Sequence, residues 1–224
     1  MKLNLLSKKE KIKQVGVVGI LLLLAVSLLV PAAGYSLTED ELLKISKDYF
    51  DQKEYDKAIA ACDKAIKMNP YFANGYYGRG VIFTYREQFD KALADFNIVL
   101  QLEPQNAGAY TFRASIYRAK GQFEPALADY GQVIRIQPQN AEAYMNRAAL
   151  LQLNGSQELA IADFNSAIRI NPQYTEAYLH KALAYEALGR KPEAIETYRQ
   201  YLRYAPPSDP DVEKVKKQIQ VLGG

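Results

Sequence analysis

One histidine, one cysteine and a spaced row of cations hold most of the chemistry this sequence offers. His180 is the only histidine and Cys62 the only cysteine in 224 residues. A single histidine excludes multi-histidine metal sites and argues against a hydrolase triad. Cys62 has no partner for an intramolecular disulfide. No glycine-rich loop of phosphate-cradling spacing occurs. What recurs is charge: Arg79, Arg113, Arg147 and Lys181 stand 34 residues apart, and Asp95, Asp129 and Asp163 follow the three arginines by 16. Such a row could track an anion. Each cation could instead lie at a seam between units, with its stem packed. The carboxylates supply partners for the second reading, which is the one expected here.

The same interval runs through the rest of the chain. Pro70, Pro104, Pro138, Pro172 and Pro206 repeat every 34 residues. A fixed period of this length marks one supersecondary unit copied in series. With Glu39 as the first place, the copies are 39–72, 73–106, 107–140, 141–174 and 175–208, without insertions. Place eight is small (Ser46, Gly80, Ala114, Ala148, Ala182), and place twenty is always Ala. Place twenty-four is aromatic in four copies (Phe96, Tyr130, Phe164, Tyr198) and Cys62 in the first. Apolar residues recur at helical spacing in each half, so each copy reads as two amphipathic helices. The small places let the helices approach, and the aromatics fill the layer between them. Gly121, Asn154-Gly155 and Gly189 suit the turn inside a copy. Asn106 and Asn140 suit helix N-caps between copies.

Residues 39–208 thus resemble tetratricopeptide repeats. The resemblance implies an all-α, right-handed superhelical solenoid of five helix–turn–helix units. Residues 209–224 read as a capping helix, with Asp209 as N-cap, Pro210 at the first helical place, and Val212, Val215, Ile219 and Leu222 on one side. In such arrays the first helix of each unit lines a concave groove. By that analogy Tyr77, Val81, Tyr85, Phe112, Arg118, Met145, Asn146, Leu179 and His180 are assigned to a partner-binding surface for a protein or peptide. Lys44 and Lys47 mark a basic end of it, and Glu142, Glu176 and Glu186 an acidic end. No cofactor, no metal and no catalytic residue is expected. The expected function is a non-catalytic interaction scaffold. The alternative is an envelope enzyme or glycan-binding protein whose repeats only support a site. Self-association through the open face of the first repeat is a third expectation.

The first 34 residues are of another kind. Five lysines and one glutamate precede or flank an uncharged run, Val15–Val30, followed by Pro31-Ala32-Ala33-Gly34. This is the pattern of a secretory signal peptide. Extended through residues 15–33, it is also near the length of a membrane-spanning anchor. Both readings stand, and in both the positive-inside rule sends the repeats across the membrane, to a periplasmic or lumenal side. The leader also accounts for the basic balance. It carries +4 of the chain's net +3, which leaves residues 35–224 at −1. The charge is therefore no sign of nucleic-acid binding, which needs cations clustered on one face.

Overall fold

The structure, a computed structural model, describes residues 37–224. The leader assignments, signal or anchor, fall outside those residues. Among the described residues no helix is long and apolar enough to cross a membrane.

Eleven α-helices and no strands make up the described chain. The first helices of the five repeats are α1 (Glu39–Asp51), α3 (Ala73–Tyr85), α5 (Ala107–Ala119), α7 (Ala141–Leu153) and α9 (Thr175–Ala187). The second helices are α2 (Tyr55–Met68), α4 (Phe89–Leu102), α6 (Phe123–Ile136), α8 (Gln157–Ile170) and α10 (Lys191–Tyr204). Each first helix has 13 residues and each second helix 14, always at the same places of the 34-residue frame. The small places explain how the pairs close. Ala58, Ala92, Ala126, Ala160 and Ala194 are fully buried, and the place-twenty-four residues are buried beside them. With only a methyl at place twenty, the two backbones come close, and the aromatic four residues on occupies the space that remains.

Within each pair the turn needs one left-handed residue. Gly121, Gly155 and Gly189 provide it with φ of 70°, 77° and 72°. In the first two repeats the same place holds Lys53 (φ 61°) and Glu87 (φ 57°). A side chain there costs about 1–2 kcal/mol relative to the right-handed region. Between repeats, Asn106 Oδ1 accepts from the Ala109 N–H at 2.9 Å and Asn140 Oδ1 from the Ala143 N–H at 3.0 Å. These two caps are as the sequence suggests. Phe72 and Tyr174 stand at the same place before α3 and α9 and offer no side-chain cap.

Helix α11 (Val212–Leu222) buries Val212, Val215 and Ile219 against α10. Its start differs from expectation. Asp211, not Asp209, is the N-cap residue, and Pro210 lies outside the helix. The reason is local: Asp209 Oδ1 accepts from the Asp211 N–H at 3.0 Å, a turn that delays the helix by two residues.

Candidate functional site

The arrangement of helices defines an inner face. Along the array α1 packs on α3, α3 on α5, and α7 on α9, whereas no two second helices pack comparably. The first helices therefore stand closer together and form the concave side, which is where a solenoid of this kind offers its long surface.

The cation row is structural, as the 16-residue spacing suggests. Arg79 donates from Nε and Nη2 to the two carboxylate oxygens of Asp95, at 2.9 and 2.7 Å. Arg113 grips Asp129 in the same fork at 2.7 and 2.6 Å, and Arg147 grips Asp163 at 2.7 and 2.8 Å. The three carboxylates are buried. Each bidentate bond pushes its guanidinium pKa up, hydrogen bonding to the aspartate being the largest cause. Arg79 also reaches back to Asp63 of the preceding repeat at 2.5 Å, and Arg113 to Asn97 at 2.7 Å. Each thus ties its own hairpin to the one before. In the fifth repeat the two places hold Lys181 and Thr197, so the aspartate is missing, and burial pushes the Lys181 pKa down.

The nine residues assigned to the concave face divide into four kinds. Tyr85 and Arg118 are exposed, with Tyr85 retaining 64% of its surface. Val81, Asn146 and Leu179 are half-buried. Tyr77, Phe112 and His180 are half-buried because they pack between repeats. Tyr77 meets Phe96 and Phe112 edge-on at centroid distances of 5.9 and 5.8 Å. His180 stacks on Phe164 at 6.0 Å, with Nδ1 3.3 Å from Gln152 Oε1. Met145 is a correction: it is buried in the core with Ala148 and Phe164, not presented to a ligand. Its unbranched side chain folds into the seam that smaller neighbours leave. Leu153 and Leu183, at concave places of α7 and α9, are exposed in its stead.

The charged ends are also partly spoken for. Lys47 donates to Asp51 one turn along α1 at 2.9 Å, both groups remaining exposed. Glu186 accepts from the Tyr198 hydroxyl and, at 2.5 Å, from Gln218 of α11. Burial, with that bond to Glu186, pushes the Tyr198 hydroxyl pKa well up. Glu186 therefore belongs to the junction with the capping helix. Glu142 and Glu176 remain exposed.

One cleft opens between α1 and α3, with a volume of about 430 Å³. Leu43, Phe50, Tyr77, Val81 and Ile82 give it apolar walls, and Lys47 and Asn74 stand among its lining. Its origin lies in two small residues at paired places. Place twenty-four of one repeat lies against place six of the next. At the second seam these are Phe96 and Phe112, stacked at 5.4 Å and 13°. At the fourth they are Phe164 and His180. At the first they are Cys62 and Gly78, where a Cβ on the glycine would lie 3.5 Å from the Cys62 sulfur. Both rings are missing at once. Cys62 itself is fully buried, contacts the Ser46 hydroxyl at 3.1 Å, and has its thiol pKa pushed up by burial. A thiol so placed is inert. The substitution at Cys62 is visible in the sequence as a departure from the pattern. Its coupling to Gly78 emerges only when place twenty-four is set against place six of the following copy.

A stack of antiparallel helix pairs, in one phase, with small residues at fixed places, defines a helical-repeat solenoid. Family models agree. A TPR repeat model matches residues 47–84 and 114–155, and tetratricopeptide repeat models match 73–106 and 151–219. The chain belongs to the tetratricopeptide repeat family. Among solved structures it is similar to MamA (21% identity over 80% of this chain and 94% of that one, TM-score 0.70). It is similar also to YrrB, described as a TPR protein with an unusual peptide-binding site (19% identity, 79% and 91% covered, TM-score 0.68). A third is PilW, described as a widely conserved type IV pilus biogenesis factor (18% identity, 82% and 85% covered, TM-score 0.66). At these identities the likeness is one of fold. No curated protein matches the sequence.

Proposed function

We propose that this protein is a non-catalytic scaffold that holds a protein or peptide on its concave face. The observation that carries the reading is the cleft between α1 and α3 on a face where Tyr85, Leu153 and Leu183 are also exposed. Aromatic and aliphatic anchors on a concave wall, set on rigid helices, suit recognition of an extended or helical segment. YrrB, with the same fold, is described as having a peptide-binding site. Among the described residues no group of three or more metal-ligating side chains occurs, and the buried carboxylates Asp95, Asp129 and Asp163 are each held by an arginine.

The place of action we propose is the periplasmic or lumenal side of a membrane, in the assembly of an envelope or membrane complex. The leader's lysines and apolar run support it, and PilW is a fold relative with a described role in pilus biogenesis. Three measurements test the pair of ideas. Crosslinking in native membranes should capture a protein partner, and Tyr85→Asp with Leu153→Asp should abolish capture while helix content stays unchanged. Capture that survives these changes removes the concave face as the site. Mass spectrometry of the mature N-terminus separates cleavage from anchoring, and protease protection in intact cells reports the side of the membrane. A cytoplasmic location would overturn the export reading.

A further inference from the structure

We propose that the cleft at the first seam receives one aromatic side chain of a peptide segment that carries an acidic residue beside it. This rests on the peptide-binding reading above and makes it specific. The array itself supplies the precedent. At the second seam, the place that corresponds to the cleft holds a ring: Phe112, stacked on Phe96 and met edge-on by Tyr77. At the fourth it holds the His180 ring, stacked on Phe164. The surrounding helices keep the same phase at the first seam, but Cys62 and Gly78 supply no ring. What remains is a cleft of about 430 Å³ with Phe50, Tyr77, Val81 and Leu43 on its walls. A ligand ring entering it completes the layer that the second and fourth seams build from within; the third sets Asn146 at that place, opposite the Tyr130 place. The exposed Tyr85 ring meets Phe50 of the wall edge-on at 5.0 Å and extends the aromatic surface.

The charge on the cleft fixes the neighbour. Lys47 is the charged residue of the lining. Its bond to Asp51 is an exposed pair, worth little and easily exchanged. A ligand carboxylate next to the ring can take that ammonium, and Asn74 on the opposite helix can bond the ligand backbone. A basic residue in that position would meet Lys47 instead.

The test is selection of a random hexapeptide phage library on the full-length protein and on Gly78→Phe, which places a ring in the cleft. Val81→Glu, on a half-buried wall of the same cleft, serves as the second variant and needs no room inside the helix pair. Both are checked for wild-type helix content. On the wild type, sequences with an aromatic residue adjacent to Asp or Glu should be enriched. Each cleft variant should lower the affinity of a selected peptide about tenfold or more, as loss of a buried anchor does. Lys47→Ala should lower it about threefold. Enriched peptides that bind the cleft variants as well as the wild type leave the concave-face reading standing and overturn the first-seam cleft. Enrichment of aliphatic or basic sequences overturns the aromatic–acidic assignment. A wild type that enriches nothing overturns both.

Discussion

The first and second seams of this array are built on the same helix frame and end in opposite states. At the second, Phe96 and Phe112 stack face to face while Tyr77 closes on both from the edge. At the first, the paired places hold Cys62 and Gly78, and a cleft of about 430 Å³ stays open. The helices on either side start and stop at the same places in both cases. The contrast shows where the frame gets its rigidity. In a solenoid each repeat answers only to its neighbours, so stability is close to a sum of local interfaces. One interface can be left under-filled without shifting the phase of the others, and a surface for a ligand results.

The largest way to break the contrast is to open the closed seam. Phe96→Ala removes a fully buried ring and should cost about 3–5 kcal/mol, read from urea unfolding followed by circular dichroism. Cys62→Ala, at the same place one repeat earlier, should cost only about 1 kcal/mol, since it removes one heavy atom. Equal losses would mean that the first seam is packed as tightly as the second. Next in size is the ion pair beside the closed seam. Asp129→Ala leaves the Arg113 guanidinium without its forked partner. The cost should be about 2–3 kcal/mol, below that of a fully buried pair because Arg113 still reaches water. The first repeat has Ile45 and Ala61 at these two places. Accordingly Arg113→Ile combined with Asp129→Ala should be less harmful than Asp129→Ala alone. A double variant as unstable as the single would show that the pair contributes more than it costs to bury.

The fold was legible because its determinants are local and repeated. Ala at place twenty, a small residue at place eight and the closing proline each have a mechanical role that can be read five times over. The arginine–aspartate pairs were legible for the same reason: a constant spacing of 16 carries Arg79 to Asp95 and Arg147 to Asp163. The site was less so. Tyr77 and His180 sit at concave places but spend their rings on neighbouring repeats. Met145 turns inward altogether. Whether a side chain at a fixed place points at a ligand or at a seam depends on the volume its neighbour leaves, and that is a property of two copies together. The start of α11 was missed for a different reason, since Asp209 closes a turn of its own before the helix begins.

The entries to α3 and α5 extend the contrast to the chain ends at each seam. Asn106 caps α5, whereas Phe72 leaves α3 without a side-chain cap. Asn106→Ala should therefore cost about 1 kcal/mol and should make the first turn of α5 exchange its amide hydrogens as readily as that of α3. Unchanged exchange at α5 would mean that packing of Ala107 and Ala109, not the cap, holds that turn.

The smallest effect should be a gain, and it separates the stability of the first seam from its openness. Gly78 lies inside α3, where glycine costs about 0.5–1 kcal/mol relative to alanine. A Cβ there would meet the Cys62 sulfur and the Leu43 side chain at 3.5 Å, an ordinary contact distance. Gly78→Ala should therefore stabilise the protein by about that amount. Two residues on, Gly80→Ala should do the reverse, because its Cβ would press on the Phe96 ring at 3.1 Å and on Asp95 Cβ at 3.3 Å. The glycine at place eight thus lies tight against the ring of the closed seam, while the one at place six has room for a methyl at the open seam. A single methyl occupies little of a 430 Å³ cleft, so Gly78→Ala should keep the peptide selectivity that Gly78→Phe removes. Loss of stability in Gly78→Ala would mean that the helices at the first seam sit closer than a Cβ allows, and the two seams would then differ in spacing and not only in the rings they lack or hold.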